Sequence, residues 1–258
     1  MTPESNGPGP TDRLRALHVP GTPLVLPNAW DAATARAVVA AGFPAVATAS
    51  AAIAPALGYD DHEQTPPDEM FAAVARIAAA VDVPVTADVE RGYRLPAAEI
   101  AARLSAAGAV GCNLEDTDAR TGGLAPLSEQ VELLAGVRAA APDLVINARV
   151  DVFLHGSGPR EELVAEAVRR GRAYVEAGAD CVYPLVVDGL DLDVARALVD
   201  GIGAPVNLAY LPGGPSLAEL AGAGVARISF GPGLFRLLHG HLDAALRTIA
   251  AGGDPYAR

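Results

Sequence analysis

Lysine is absent from this 258-residue chain; all 19 basic residues are arginine, against 31 acids. No side-chain amine can form a Schiff base and no P-loop lysine exists, which excludes lysine-dependent aldolase chemistry and Walker-type nucleotide binding. Cysteine is nearly as scarce. Cys112 and Cys181 stand far apart inside apolar runs, with neither a CxxC pair nor a zinc-ligand spacing. They read as small core residues and suit a reducing cytoplasm better than secretion. No run approaches the roughly 20 apolar residues a membrane helix needs. The formal net charge of −12 disfavours nucleic acid or an anionic membrane as a partner. Residues 1–12 are polar, rich in Pro and Gly and without an apolar targeting core, and are expected to form a loose tail.

What the chain does have is apolar bulk, 51% of its residues, arranged in a repeating cadence. An Ala-rich helical stretch ends at Gly and a short apolar strand follows, as in "VVAAGFPAVATAS", "LSAAGAVGCNLED", "YVEAGADCVYPLV" and "LAGAGVARISFGP". Gly42, Gly108, Gly178 and Gly224 fall where a helix end needs a left-handed backbone. Eight strands are predicted, over about 23–29, 45–51, 83–90, 109–115, 144–151, 180–187, 205–211 and 227–231. The clearest helices are 31–41, 67–80, 96–107, 128–140 and 160–177. Strand–helix alternation implies a parallel sheet, and eight units imply a single-domain (β/α)8 TIM barrel over 13–258. A doubly wound open sheet is the alternative, weakened because "PNAWDAATAR" rather than a Gly-rich fingerprint follows the first strand.

In such a barrel the active site lies at the C-terminal strand ends. Residues two apart in a strand share a face. That places Thr86, Asp88 and Glu90 together on the third strand, Asn113 and Glu115 on the fourth, and Asn147, Arg149 and Asp151 on the fifth. The opposite faces are wholly apolar, so the polar ones should converge in the barrel mouth. Asp88, Glu90 and Glu115 would then crowd negative charge that needs a cation or a proton. Hard oxygen donors without a His or Cys pair suit Mg2+ or Mn2+ better than zinc. Arg149 offers a fork for a carboxylate or phosphate. A buried ion-pair network among these same residues is the alternative.

Several pieces in order, "PNAWDAATARAVVAAGFPAVATAS", "LGYDDHE", "VTADVERGY", "GCNLEDT", "INARVDVFL", "EAGADCVYPL" and "GVARISFGPGLFR", resemble the isocitrate lyase/phosphoenolpyruvate mutase family. The resemblance implies a (β/α)8 barrel, a homo-oligomer (tetramer or dimer), and Mg2+-dependent chemistry through a pyruvate-like enolate. It implies metal acids at Asp88, Glu90 and Glu115, a further acid at Asp61 (Asp60 if the loop shifts by one), and a substrate arginine at Arg149. Thr48 and Ser50 fall where relatives bind a substrate carboxylate or phosphonate. Asn113 and Tyr93 are further candidates for lining the substrate pocket. The gate after the fourth strand, "EDTDARTGGLAPLSEQ", lacks the Lys-Lys/Arg-Cys-Gly-His run of isocitrate and methylisocitrate lyases, and Arg94 replaces a common Gly.

The expected activity is a Mg-dependent lyase or decarboxylase cleaving a C–C bond in an oxaloacetate-like 2-oxo acid or related dicarboxylate. C–P cleavage or rearrangement is the second enzymatic reading, and a non-catalytic oxo-acid binder the reading of another class. His62 and His155 are ambiguous loop residues, His239 and His241 read as surface residues, and Asp31 reads as a helix cap.

Overall fold

The computed structural model describes residues 7–257. Its strands are β1 (Leu24–Leu26), β2 (Asn28–Ala29), β3 (Val46–Thr48), β4 (Val85–Asp88), β5 (Gly111–Glu115), β6 (Thr117–Asp118), β7 (Gly123–Leu124), β8 (Val145–Val150), β9 (Cys181–Pro184), β10 (Asn207–Ala209) and β11 (Arg227–Ser229). β1 and β2 are one strand interrupted at Pro27, which cannot donate to a ladder. The hydrogen-bonded order is β2-β3-β4-β5-β8-β9 in one sheet and β1-β11-β10 in another. A parallel bridge between Val182 and Val206 joins β9 to β10, and the β1–β2 strand closes the other seam. The ring is therefore the eight-stranded parallel barrel expected from the alternation. β6 and β7 stand outside it as a small antiparallel hairpin.

Its helices are α1 (Pro10–Ala16), α2 (Ala32–Ala40), α3 (Ser50–Leu57), α4 (Pro67–Ala78), α5 (Ala97–Ala106), α6 (Leu127–Ala140), α7 (Val152–His155), α8 (Arg160–Glu176), α9 (Leu192–Ile202), α10 (Leu217–Gly222) and α11 (Gly233–Ala250). Local chemistry starts and stops them. Pro66, Pro96, Pro126 and Pro159 precede α4, α5, α6 and α8, and a proline there withholds no hydrogen bond a helix start could use. Asp31 caps α2 by accepting from the Thr34 N–H at 2.7 Å, the role its position suggested. Gly42 and Gly178 take φ of 92° and 106° just past helix ends, a region costly for any residue with a Cβ.

One element departs from expectation. Of the tail anticipated over 1–12, residues 1–6 lie outside the described residues, while Pro10–Asp12 open α1. The helix forms because Leu14 is fully buried against Leu24, Leu26, Ala47 and Val145, closing the end of the barrel opposite the mouth. Room for Leu14 comes from Gly111, where a Cβ would stand 2.8 Å from Leu14 Cδ2 and 3.0 Å from the Val145 carbonyl. Arg15 secures the plug by donating to Asp180 at 2.9 Å.

His18, just after α1, is buried with Nδ1 2.9 Å from the Leu14 carbonyl. Burial, then the Arg227 charge, lowers its pKa from 6.5 to about 4. The folded state thus favours neutral His18, so this contribution is complete above pH 6.5 and is lost as pH falls towards 4. Urea unfolding at pH 7, 5.5 and 4 should show wild type losing about 3 kcal/mol relative to His18→Gln across that window. A constant difference between the two proteins would remove His18 from the acid sensitivity.

Candidate active site

Proline-broken β2, β3, β4 and β5 end side by side, and their final residues meet the ends of β8 to β11 around a cavity of about 300 Å³. Ser50, Asp61, Asp88, Asn113 and Arg149 all line it, so five of the expected residues do come together. A wider groove of about 750 Å³ lies elsewhere, beside Pro10, Ala101 and Asp143, and gathers no such set.

Asp88 is held firmly. Its Oδ2 accepts from the Ser50 N–H at 3.1 Å and the Ser50 hydroxyl at 2.9 Å, while its own N–H donates to Thr48 Oγ1 at 2.8 Å. Oδ1 is buried without a hydrogen-bond partner among the described residues, as is Asp61 Oδ1. Burial, then the charge of Asp88, raises the Asp61 carboxyl above its ordinary range. Two hard oxygen atoms thus border one cavity with nothing to satisfy them, a costly arrangement unless a ligand or proton completes it.

The other expected ligands are engaged elsewhere. The alternation that should have aimed Glu90 beside Asp88 stops at the end of β4, and Glu90 takes a left-handed φ of 51°. Its carboxylate accepts from the Glu63 N–H at 2.6 Å and the Tyr93 hydroxyl at 2.8 Å. Burial, then the charge of Asp61, pushes Glu90 up to about 8. Glu115 pairs with Arg149 Nη1 at 2.6 Å. Burial pushes its carboxyl up, and the guanidinium opposes that. Among the described residues no group of three or more His, Cys, Asp or Glu is arranged to hold a metal ion. Of the Asp88–Glu90–Glu115 trio, Asp88 alone lines the cavity, while Glu90 follows a left-handed turn and Glu115 pairs with Arg149.

Thr48 and Tyr93 stand behind the cavity wall. Thr48 is fully buried and supports the Asp88 backbone, while Tyr93 packs edge-on against Phe71 and donates to Glu90. Neither lines the cavity: Thr48 positions Asp88, which does, and Tyr93 holds Glu90, which does not. Arg149 lines it but is tightly shared, with Nε and Nη2 on Asp151 at 2.7 and 3.0 Å. Burial alone would lower its pKa, yet Glu115 and Asp151 raise it well above the ordinary value, so it stays charged. His62 lines the cavity. His155 instead lies 2.8 Å from Thr117 Oγ1 at the foot of the β6–β7 hairpin.

The β6–β7 hairpin is the segment the sequence assigned to the gate. Asp118 and Arg120 lock its turn, with Nη2 to Oδ2 at 2.9 Å. Beneath it lies a residue the strand pattern hid. Asp116, fully buried, accepts from the Asp151 N–H at 2.8 Å, from Arg170 at 3.0 Å and from the Tyr174 hydroxyl at 2.7 Å. It ties the end of β5 to the start of α7 and to α8. Arg236, an exposed cation from α11 that makes no ion pair among the described residues, also borders the cavity and was likewise missed.

A family model described as phosphoenolpyruvate phosphomutase matches residues 14–250. The chain belongs to that family. Within it, a "putative phosphonomutase" from Burkholderia cenocepacia J2315 is 40% identical, with a TM-score of 0.86 over 92% of this chain and 98% of the other. A "Probable 2-methylisocitrate lyase 2" from Corynebacterium glutamicum is 29% identical over 96% of this chain and 84% of its own length. A phosphonopyruvate hydrolase solved in complex with oxalate and Mg2+ is 25% identical, with a TM-score of 0.83 over 95% of this chain and 89% of that one. The resemblance read from the sequence motifs and the barrel thus stand together in the phosphoenolpyruvate phosphomutase family. No helix among the described residues is long and apolar enough to cross a membrane.

Proposed function

We propose that this family member is a Mg2+-dependent lyase that removes a carboxylate from an oxaloacetate-like 2-oxo acid. The observation that carries the reading is the pair of unsatisfied oxygens, Asp88 Oδ1 and Asp61 Oδ1, on one cavity with Arg149. The donor set fits magnesium, which keeps several waters and takes one or two carboxylates plus substrate oxygens rather than an all-protein cage. Asp88 and Asp61 would hold it, with Mn2+ an acceptable substitute. The phosphonopyruvate hydrolase with oxalate and Mg2+ supports the same assignment by likeness. When bound, the metal supplies Lewis-acid stabilisation of the negative charge that C–C cleavage leaves on oxygen.

The chain's own residues do the rest. Ser50 fixes the unused oxygen of Asp88, so that Oδ1 points where it is needed without reorganisation. Arg149, kept charged by Glu115 and Asp151, faces the substrate carboxylate, and Asn113 offers a polar edge beside it. The gate favours decarboxylation over isocitrate-type cleavage. Its hairpin carries no Cys, Lys or His, and its one Asp is committed to Arg120. Loss of carbon dioxide needs only a final proton to carbon, which water can deliver. Association of copies belongs to the same reading, supported by α11, which buries no residue and exposes Leu237, Leu238, Leu242, Leu246 and Ile249.

The test is release of a 2-oxo acid from oxaloacetate, phosphonopyruvate, methylisocitrate and substituted malates, with Mg2+ or excess EDTA. Turnover of an oxaloacetate-type compound that EDTA abolishes and Arg149→Ala reduces by at least 100-fold is expected. Turnover of phosphonopyruvate alone would move the chemistry to C–P cleavage. No turnover with retained binding would make the protein a binder.

A further inference from the structure

The cavity is divided chemically by strand order. Its acidic and polar side follows β3, β4 and β5, with Ser50, Asp61, Asp88 and Asn113. The remaining arc carries Arg149, Tyr183 and Ser229 on β8, β9 and β11, and beyond those strands it supplies Leu154, Leu185, Val187, Leu211 and Phe230. Beyond the strand ends, Arg236 is the one charged side chain described on that arc. Leu154 and Val187 keep 38% and 40% of their surface exposed at this mouth. At about 30 Å³ per water, the cavity has room for roughly ten waters. A four-carbon diacid would leave its aliphatic arc facing solvent, and pockets that bind selectively match apolar walls with apolar ligand surface.

Resting on the lyase reading above, we infer that the substrate carries an aliphatic group of two or more carbons on C3, seated on Leu185, Val187 and Leu211. The substrate class is thus a 3-alkyl-2-oxo diacid rather than oxaloacetate itself. In its decarboxylation the C3–C4 bond breaks and its electron pair forms the C2–C3 double bond as the carbonyl pair moves to oxygen. Carbon dioxide leaves, the enolate collapses, and C3 takes a proton from water. The alkyl group stays on C3, so the product is a longer 2-oxo acid that still touches the apolar arc.

That last point separates this inference from the reaction it rests on. Calorimetry with Mg2+ present would measure pyruvate, 2-oxobutyrate and 2-oxohexanoate, none of which the reaction consumes, against wild type and against Leu185→Ser and Val187→Ser. In parallel, kcat/KM would be measured for oxaloacetate and its 3-methyl, 3-ethyl and 3-propyl derivatives. Each added methylene in a fitted apolar pocket is worth at least about tenfold. Wild type should therefore bind 2-oxohexanoate at least tenfold more tightly than pyruvate, and either serine variant should bring that ratio within about threefold. Kd values independent of chain length in wild type would overturn the inference whatever the turnover. Chain-length preference in binding with no decarboxylation of any compound would uphold the apolar subsite and sink the lyase reading instead.

Discussion

Asp88→Asn is expected to lower kcat/KM by about 10³-fold or more while leaving the melting temperature within a few degrees of wild type. Like Asp61, Asp88 carries an unpartnered oxygen on the cavity, and it alone of the two is fixed by Ser50 and Thr48. Asparagine keeps the shape and can keep one bond to Ser50. It loses the negative charge a divalent cation needs. Metal-assisted stabilisation is worth several kcal/mol, and each 1.36 kcal/mol is a factor of about ten in rate. Steady-state kinetics of both proteins at saturating Mg2+, with melting curves alongside, make the check. A loss below tenfold would show that Asp88 is not the principal ligand.

The second large effect falls on stability. Asp116→Ala should destabilise the fold by about 3–5 kcal/mol, because it takes the shared acceptor from three buried donors. Arg170 would keep Glu166 at 2.8 Å and the Ala125 carbonyl at 3.1 Å, but its Nη1 would lose Asp116, and the Tyr174 hydroxyl and Asp151 N–H would lose their acceptor. At about 2–4 °C per kcal/mol for a domain of this size, Tm should fall by about 10 °C. Activity should fall too, since Asp151 orients Arg149. Asp118→Ala, which removes an ion pair with a mostly exposed Arg120, should cost no more than about 1 kcal/mol. Equal melting temperatures for the two variants would contradict the assignment of Asp116 as the hub beneath the β6–β7 hairpin.

The barrel was legible because it is written in local signals repeated along the chain. Gly-ended helices, Pro-started helices and short apolar strands each follow from backbone chemistry that neighbouring residues reveal. The mouth was legible only as far as the strands run. Asp88 and Asn113 lie within regular β4 and β5, where alternation holds, and both reach the cavity. Glu90 lies two residues beyond the end of β4 in a left-handed conformation that a period of two cannot foresee. Asp116 sits next to Glu115, on the side that alternation assigned to the core. A charge there was the available signal, and its partners Arg170 and Tyr174 lie 54 and 58 residues away. Arg236 was hidden for a similar reason, since only closure of the ring brings the start of α11 to the mouth. The apolar arc was unreadable as a specificity surface because Leu185, Val187 and Leu211 look like any other core residues in sequence.

The central claim is that a 2-oxo acid binds through a divalent ion held at Asp88, and oxalate, a planar mimic of the enolate of pyruvate, tests it without any turnover. Calorimetric titration of oxalate would be run on wild type and Asp88→Asn, each with Mg2+ and with EDTA. The account predicts binding to wild type that requires Mg2+ and is weakened at least 100-fold by the substitution. Oxalate binding of equal strength with EDTA, or unchanged in Asp88→Asn, would contradict it.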